Sequence, residues 1–230
     1  MKKTLLAATA AAGLMAFAGI ANAADASAGS VDWSGIYLGV SGGAHSYTST
    51  VENGNAEDYE YVYPGDSVDA TAQGFIGGIG AGYNVDMNGI VLGVEGDFSA
   101  LSGEANSTVY DAYVVNDSSL NWLGTLRGRV GMAFDNLLVY GTAGLAYGQT
   151  ETKVCDDECG YYGYDKTEWK AGWVAGLGAE YALTEAVSVK AEGLYYDLGS
   201  RNEHDTVSDY TDYKESNTGL IARMGVNFKF

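Results

Sequence analysis

The chain has 230 residues, with 30 acidic against 12 basic side chains and a formal net charge of −18. So acidic a chain offers no basic patch for nucleic acid or anionic lipid, whose capture depends on cations displacing counterions. It attracts cations and basic proteins instead. Its 33 glycines follow no Gly-X-Y period, which excludes collagen, and its 18 tyrosines and lone Pro64 suit strands, where proline cannot donate to the ladder.

The N-terminus has the three parts of a secretory signal. Met1-Lys2-Lys3 is a positive start, Leu5 to Ile20 is apolar, and Ala21-Asn22-Ala23 is a small-residue cleavage site. Residues 1–23 are therefore expected to be a signal peptide, 24–32 a periplasmic N-terminal segment and 33–230 one barrel domain. No later segment is apolar for long enough to span a bilayer as a helix. An exported chain of this kind is either soluble or a closed β-barrel, since only helices and closed barrels satisfy every backbone polar group in lipid.

Eight strands are predicted, at Trp33–Tyr47, Thr71–Val85, Gly89–Ser102, Ser119–Phe134, Leu137–Thr150, Thr167–Leu183, Ala186–Gly199 and Ser216–Phe230. Each has the 9–11 residues that a tilted strand needs to cross a bilayer. Tight turns are expected at Asp86-Met87-Asn88, Asp135-Asn136 and Thr184-Glu185. Longer loops are expected at Thr48–Ala70, Gly103–Ser118, Glu151–Lys166 and Ser200–Glu215. These hold much of the acid and many tyrosines, including Tyr59, Tyr61, Tyr63, Tyr161, Tyr162 and Tyr164. Alternating short turns and long loops indicate an eight-stranded antiparallel transmembrane β-barrel, with short periplasmic turns, four longer extracellular loops and both termini in the periplasm.

Alternation within the strands assigns the faces. Leu220, Ala222, Met224, Val226, Phe228 and Phe230 share one parity, as do Ile90, Leu92, Val94 and Phe98, and Trp122, Leu126, Val130 and Met132. This parity should meet lipid. Tyr83, Phe134, Tyr181, Phe228 and Phe230 would form the periplasmic girdle, and Trp122, Tyr147 and Trp169 the outer one. The opposite parity carries Glu95, Asp97, Arg127, Arg129, Glu180, Lys190, Glu192 and Arg223. Charges on lipid would cost roughly 2–4 kcal/mol each for Arg or Lys at midplane, so these eight should point inward as a salt-bridge network. In an eight-stranded barrel such side chains about fill the bore.

The segment Gly74-Phe-Ile-Gly-Gly-Ile-Gly-Ala-Gly-Tyr-Asn84, with Val91-Leu-Gly-Val-Glu-Gly-Asp97, resembles the second and third strands of the small alphaproteobacterial outer-membrane proteins. These are opacity-like eight-stranded barrels of the porin family. Trp122-Leu-Gly-Thr-Leu-Arg-Gly-Arg129, Leu138-Val-Tyr-Gly-Thr-Ala-Gly-Leu-Ala-Tyr147, Gly176-Leu-Gly-Ala-Glu-Tyr181 and Gly225-Val-Asn-Phe-Lys-Phe230 are similar to later strands. The loops show no such similarity. The resemblance implies a structural protein of the cell outer membrane that supports envelope integrity, with weak porin activity in some members and hemin binding or host contact in others. It brings no catalytic motif, and no enzyme activity, cofactor or metal is expected. Expected partners are outer-membrane lipid and lipopolysaccharide, the barrel assembly machinery, and a host or small-molecule ligand at the outer loops.

The remaining chemistry-bearing residues are few. Cys155 and Cys159 are expected to form a disulfide in an oxidising compartment. A metal site built from these thiols and the acids between them is the alternative, but it lacks an adjacent histidine. His45 and His204, the only histidines, are the candidate hemin contacts of the ligand-binding reading. A Ser46-His45-acid hydrolase is the third reading, with no spacing that enforces it. The closing alternation makes Phe228 and Phe230 the expected assembly signal.

Overall fold

The computed structural model describes residues 31–53, 67–109, 114–155, 163–204 and 212–230. The strands are β1 (Gly35–Asn53), β2 (Ser67–Met87), β3 (Ile90–Leu101), β4 (Glu104–Val109), β5 (Val114–Phe134), β6 (Leu137–Cys155), β7 (Gly163–Ala182), β8 (Val187–His204) and β9 (Asp212–Lys229). Every pairing is antiparallel between neighbours. β1 pairs with β9, from Tyr37 opposite Lys229 to Asn53 opposite Tyr213, and closes the sheet. The third stave is interrupted: β3 and β4 both pair with β5, so the nine segments form a closed eight-stranded barrel.

The break in that stave falls at Ser102-Gly103. Gly103 sits at φ 123°, a conformation that a residue with a Cβ rarely adopts. Ser102 keeps its backbone N–H on the Phe75 carbonyl at 2.9 Å, so the interruption leaves that donor paired.

The short turns lie at one end of the barrel, here the turn end. Asn88-Gly89 joins β2 to β3 with φ values of 55° and 91°, the left-handed pair that a two-residue hairpin requires. Asp86 Oδ1 accepts the Gly89 N–H at 2.8 Å. At the third turn Thr184 Oγ1 accepts the backbone N–H groups of Ala186 and Val187.

At the opposite, far end the strands run well past the expected limits. β5 and β2 each span 21 residues. At about 3.3 Å per residue and a tilt near 40°, such a strand rises roughly 50 Å, about twice the ~25 Å apolar band of an outer-membrane barrel. Much of what reads as loop in the sequence is thus ladder. Thr48, Ser49 and Thr50 continue β1 opposite Thr71, Ala70 and Asp69. Hydrophobic alternation stops where the lipid stops, but backbone pairing does not depend on it.

The apolar parity faces outward, where Ile36, Leu38, Ile79, Leu126, Leu145, Leu177 and Phe228 are exposed. Toward the far end the aromatic residues pair across strands. Phe98 stacks on Trp122 at 5.2 Å, Tyr147 on Trp169 at 4.9 Å, and Trp173 meets Tyr195 at 5.4 Å. At the turn end, Tyr83, Phe134, Phe228 and Phe230 are exposed, while Tyr181 is half-covered.

Inside, tyrosine rings lie flat against glycines of the adjoining strand. A Cβ on Gly82 would overlap the Tyr37 ring, and one on Gly178 would overlap the Tyr140 ring. Glycine at these two positions is what admits aromatic side chains to so narrow a bore.

Candidate functional site

The filled bore is the candidate site, and it is built in tiers. At the turn end, Trp33, Val91, Leu138, Tyr140 and Ala182 form a small apolar cluster. Trp33 was expected to open β1. It instead precedes the strand, which starts at Gly35, and is buried with the cluster. Lys229 Nζ donates to the Asp32 carbonyl, and the Asp86 N–H donates to Ser34 Oγ at 3.0 Å, which holds this segment against the turn end. The Ser34 backbone N–H donates to Asp32 Oδ1 and keeps that carboxyl below its usual range.

The charged tiers follow. β3 and β5 set Glu95 opposite Arg127, β7 and β8 set Glu180 opposite Lys190, and β8 and β9 set Glu192 opposite Arg223. Arg127 is the centre, with guanidinium nitrogens 2.5 Å from Glu95, 2.9 Å from Asp97 and 3.3 Å from Glu192. Arg223 reaches Glu192 at 2.8 Å and Asp97 at 3.0 Å, and Lys190 reaches Glu95 at 2.9 Å. Nearer the turn end Arg129 pairs with Glu180 at 2.8 Å, its guanidinium 4.2 Å from the centre of the Tyr140 ring. The eight charges that parity assigns to the interior thus share this network, four of each sign, and Lys170 is buried as well.

Neutral donors complete it. Tyr37 and Tyr140 hydroxyls donate to Glu95 at 2.6 Å and Glu192 at 2.9 Å. Thr125 donates to Asp97 at 2.6 Å. Ser188 and the Asn227 amide donate to Glu180 at 2.5 and 2.7 Å. Buried charge is tolerable only when paired and hydrogen-bonded in this way.

Beyond the charges lies a tier that parity alone does not anticipate. The next inward position after Glu192 is Leu194, and the one beyond Arg223 is Ile221. With Ile76, Leu101, Leu123, Val174 and Tyr196 they form a buried apolar cluster across the bore. Its signal is present in the sequence as apolar doublets, Phe75-Ile76, Trp122-Leu123, Trp173-Val174, Leu194-Tyr195 and Leu220-Ile221. One member of each faces lipid and the other the interior, as in strands buried on both faces.

Two cavities lie below this tier, of about 20 and 10 Å³. One water needs roughly 10–15 Å³, so neither is a conduit.

His45 corrects the hemin expectation. Its ring is inward and buried, with Nε2 2.8 Å from the Ser102 carbonyl at the stave break. It presents no nitrogen to a ligand outside the barrel. His45 and Ser46 are consecutive strand residues on opposite faces, which also separates the dyad of the hydrolase reading. The His204 side chain and Cys159 lie outside the described residues. Cys155 ends β6, its side chain likewise outside them. Phe228 stands outward opposite Leu38, and the Phe230 N–H donates to the Ile36 carbonyl at 2.9 Å.

A closed antiparallel barrel with an apolar exterior, aromatic bands and buried charge is the architecture of an outer-membrane protein. The chain belongs to the outer membrane protein beta-barrel domain family, whose model matches residues 4–230. It is 38% identical over 207 residues to the 31 kDa outer-membrane immunogenic protein of Brucella melitensis, covering 86% of this chain and 84% of that one. It is 32% identical to the 22 kDa outer membrane protein of Rhizobium leguminosarum, covering 86% and 78%. Among solved structures, the outer membrane protein OprG from Pseudomonas aeruginosa aligns over 87% of this chain and 99% of its own. Its TM-score is 0.55 at 15% identity, a likeness of fold.

Proposed function

We propose that the chain is a structural outer-membrane barrel that supports envelope integrity, does not conduct ions and catalyses no reaction. The observation that carries this is the bore, where a neutral network of paired charges is overlaid by a tier of buried apolar side chains. An ion crossing it would have to break buried pairs and then enter apolar packing, and each step costs several kcal/mol. In this reading residues 1–23 direct export, the turn end and both termini face the periplasm, and the far end projects through the lipopolysaccharide leaflet. The barrel assembly machinery inserts the chain by its C-terminal strand. Planar-bilayer recording of the purified folded protein should show no unitary current above the lipid baseline. Reproducible steps that scale with protein would overturn the reading.

A second reading is supported by the relatives' description as outer-membrane immunogenic proteins and by the projecting strands. The far end would be a surface that meets molecules outside the cell through acidic, Tyr-rich segments. With His45 inside the barrel, His204 is the remaining histidine for a hemin contact. A hemin titration of wild type against His204→Ala tests it, and equal absorbance changes would remove histidine ligation.

A further inference from the structure

Three buried polar atoms at the turn end have no hydrogen-bond partner among the described residues: Trp33 Nε1, Asn84 Oδ1 and Asn227 Oδ1. All three side chains are more than nine-tenths buried, and all three residues line the same cavity of about 20 Å³. The orientation of the Asn227 amide is fixed, because its nitrogen donates to Glu180 at 2.7 Å and a carboxylate can only accept. Its oxygen is therefore the free end. It lies over Gly39, and the Asn84 oxygen lies over Gly93; a Cβ on either glycine would fill the space of the oxygen beside it. The sequence thus keeps room for two carbonyl acceptors and supplies one indole donor. That set suits a neutral molecule with both donors and an acceptor. A bare cation would meet the indole N–H, and an anion would meet the two oxygens.

We propose that this cavity is a binding site for a single buried water. The water accepts from Trp33 Nε1 and donates to Asn84 Oδ1 and Asn227 Oδ1. The volume admits one water, and three partners is the usual number for a buried one. Left unpaired, each of the three groups would carry its full desolvation penalty. The water fastens the segment before β1 to β2 and β9 at once. Asn227 also holds Glu180, so the same residue ties the N-terminal segment to the charged tiers. A second cavity of about 10 Å³ shares Tyr37 and Asn227 with the first and is lined by Glu95, Asp97, Lys190 and Arg223. Solvent at the turn end is therefore one side chain away from the ion pairs, while the apolar tier shuts off the far end.

Two measurements on the intact folded barrel test the site. A crystal structure that resolves ordered solvent should show one peak within about 3.2 Å of all three atoms. In detergent micelles, the Trp33 indole N–H should exchange with D2O at least about 100-fold faster than the Leu123 backbone amide, which sits in the β5 ladder between β3 and β6. Ala182→Val grows a side chain into the cavity and should slow indole exchange about tenfold while leaving Leu123 unchanged. A dry cavity, a protein group occupying it, or an indole as protected as Leu123 would each overturn the proposal.

Discussion

Replacing Arg127 by alanine tests the charged tier most directly. The side chain has no solvent exposure and stands within 3.3 Å of three carboxylates. Its loss does not orphan all three. Glu95 keeps Lys190 at 2.9 Å, Asp97 keeps Arg223 at 3.0 Å, and Glu192 keeps Arg223 at 2.8 Å. The network then holds four acids against three bases, so the excess is one buried negative charge. Removing one partner of a buried pair costs about 3–5 kcal/mol, and this figure applies once rather than three times. Urea unfolding of the barrel in lipid vesicles, followed by the gel mobility difference between folded and heat-denatured chain, reads the loss as a lower midpoint. Arg127→Met combined with Glu95→Gln removes one charge of each sign and should recover much of the stability, giving a large coupling in a double-mutant cycle. An unchanged midpoint for Arg127→Ala, or a double variant no more stable than the worse single one, would refute the account of the bore as a paired network.

Leu194→Ala removes a fully buried side chain of the apolar tier and should cost about 2–5 kcal/mol on the same assay; a loss below ~1 kcal/mol would mean that the tier is loosely packed. Gly178→Val sets a branched side chain against the Tyr140 ring and should destabilise by roughly 1–3 kcal/mol, with Tyr140→Ala in the same chain restoring part of it. Deleting Phe230 removes a ring 79% exposed and one backbone hydrogen bond, worth about 1 kcal/mol, so a folded barrel should tolerate it in vitro. In cells, membrane insertion should nonetheless fall more than secretion, and equal insertion would end its role as an assembly signal. If Cys155 and Cys159 are paired, a thiol reagent should label the native protein only after reduction.

The lipid face was legible because its alternation is strict where a strand meets hydrocarbon on one side and polar groups on the other. The charge of Glu95, Arg127 and Arg223 identified the inward parity for the same reason. The apolar tier was less legible because parity is uninformative where both neighbours are apolar, as at Leu220-Ile221. Two irregularities also shift the alternation. Register slips between Leu120 and Trp122 and between Asp197 and Ser200, so Leu120 lies inside although its parity matches outward Trp122. Strand length was underestimated because the ladder beyond the lipid is built from Thr, Ser and Asn pairs that read as loop. His45 looked like a surface histidine because the strand was expected to end near it; the ladder continues to Asn53 and keeps the ring inside.

The positions of the charges bear on how the barrel finds its register. Glu95 and Arg127, Glu180 and Lys190, and Glu192 and Arg223 are directly opposed across three different strand pairs. Opposed pairs of unlike charge are among the favourable cross-strand combinations, and the interior raises the penalty for losing one. Moving β9 by two residues against β8 would keep every side chain on its own face, so the lipid-facing pattern would hardly resist it. The same movement would set Ile221 or Gly225 opposite Glu192 and carry Arg223 toward Lys190 or into the apolar tier. The apolar barrel exterior specifies which face is out; the buried ions specify which residue meets which. That division explains why so neutral a network, costly to desolvate and of little net worth as binding energy, sits at the middle of the bore, where every strand pair has to pass it.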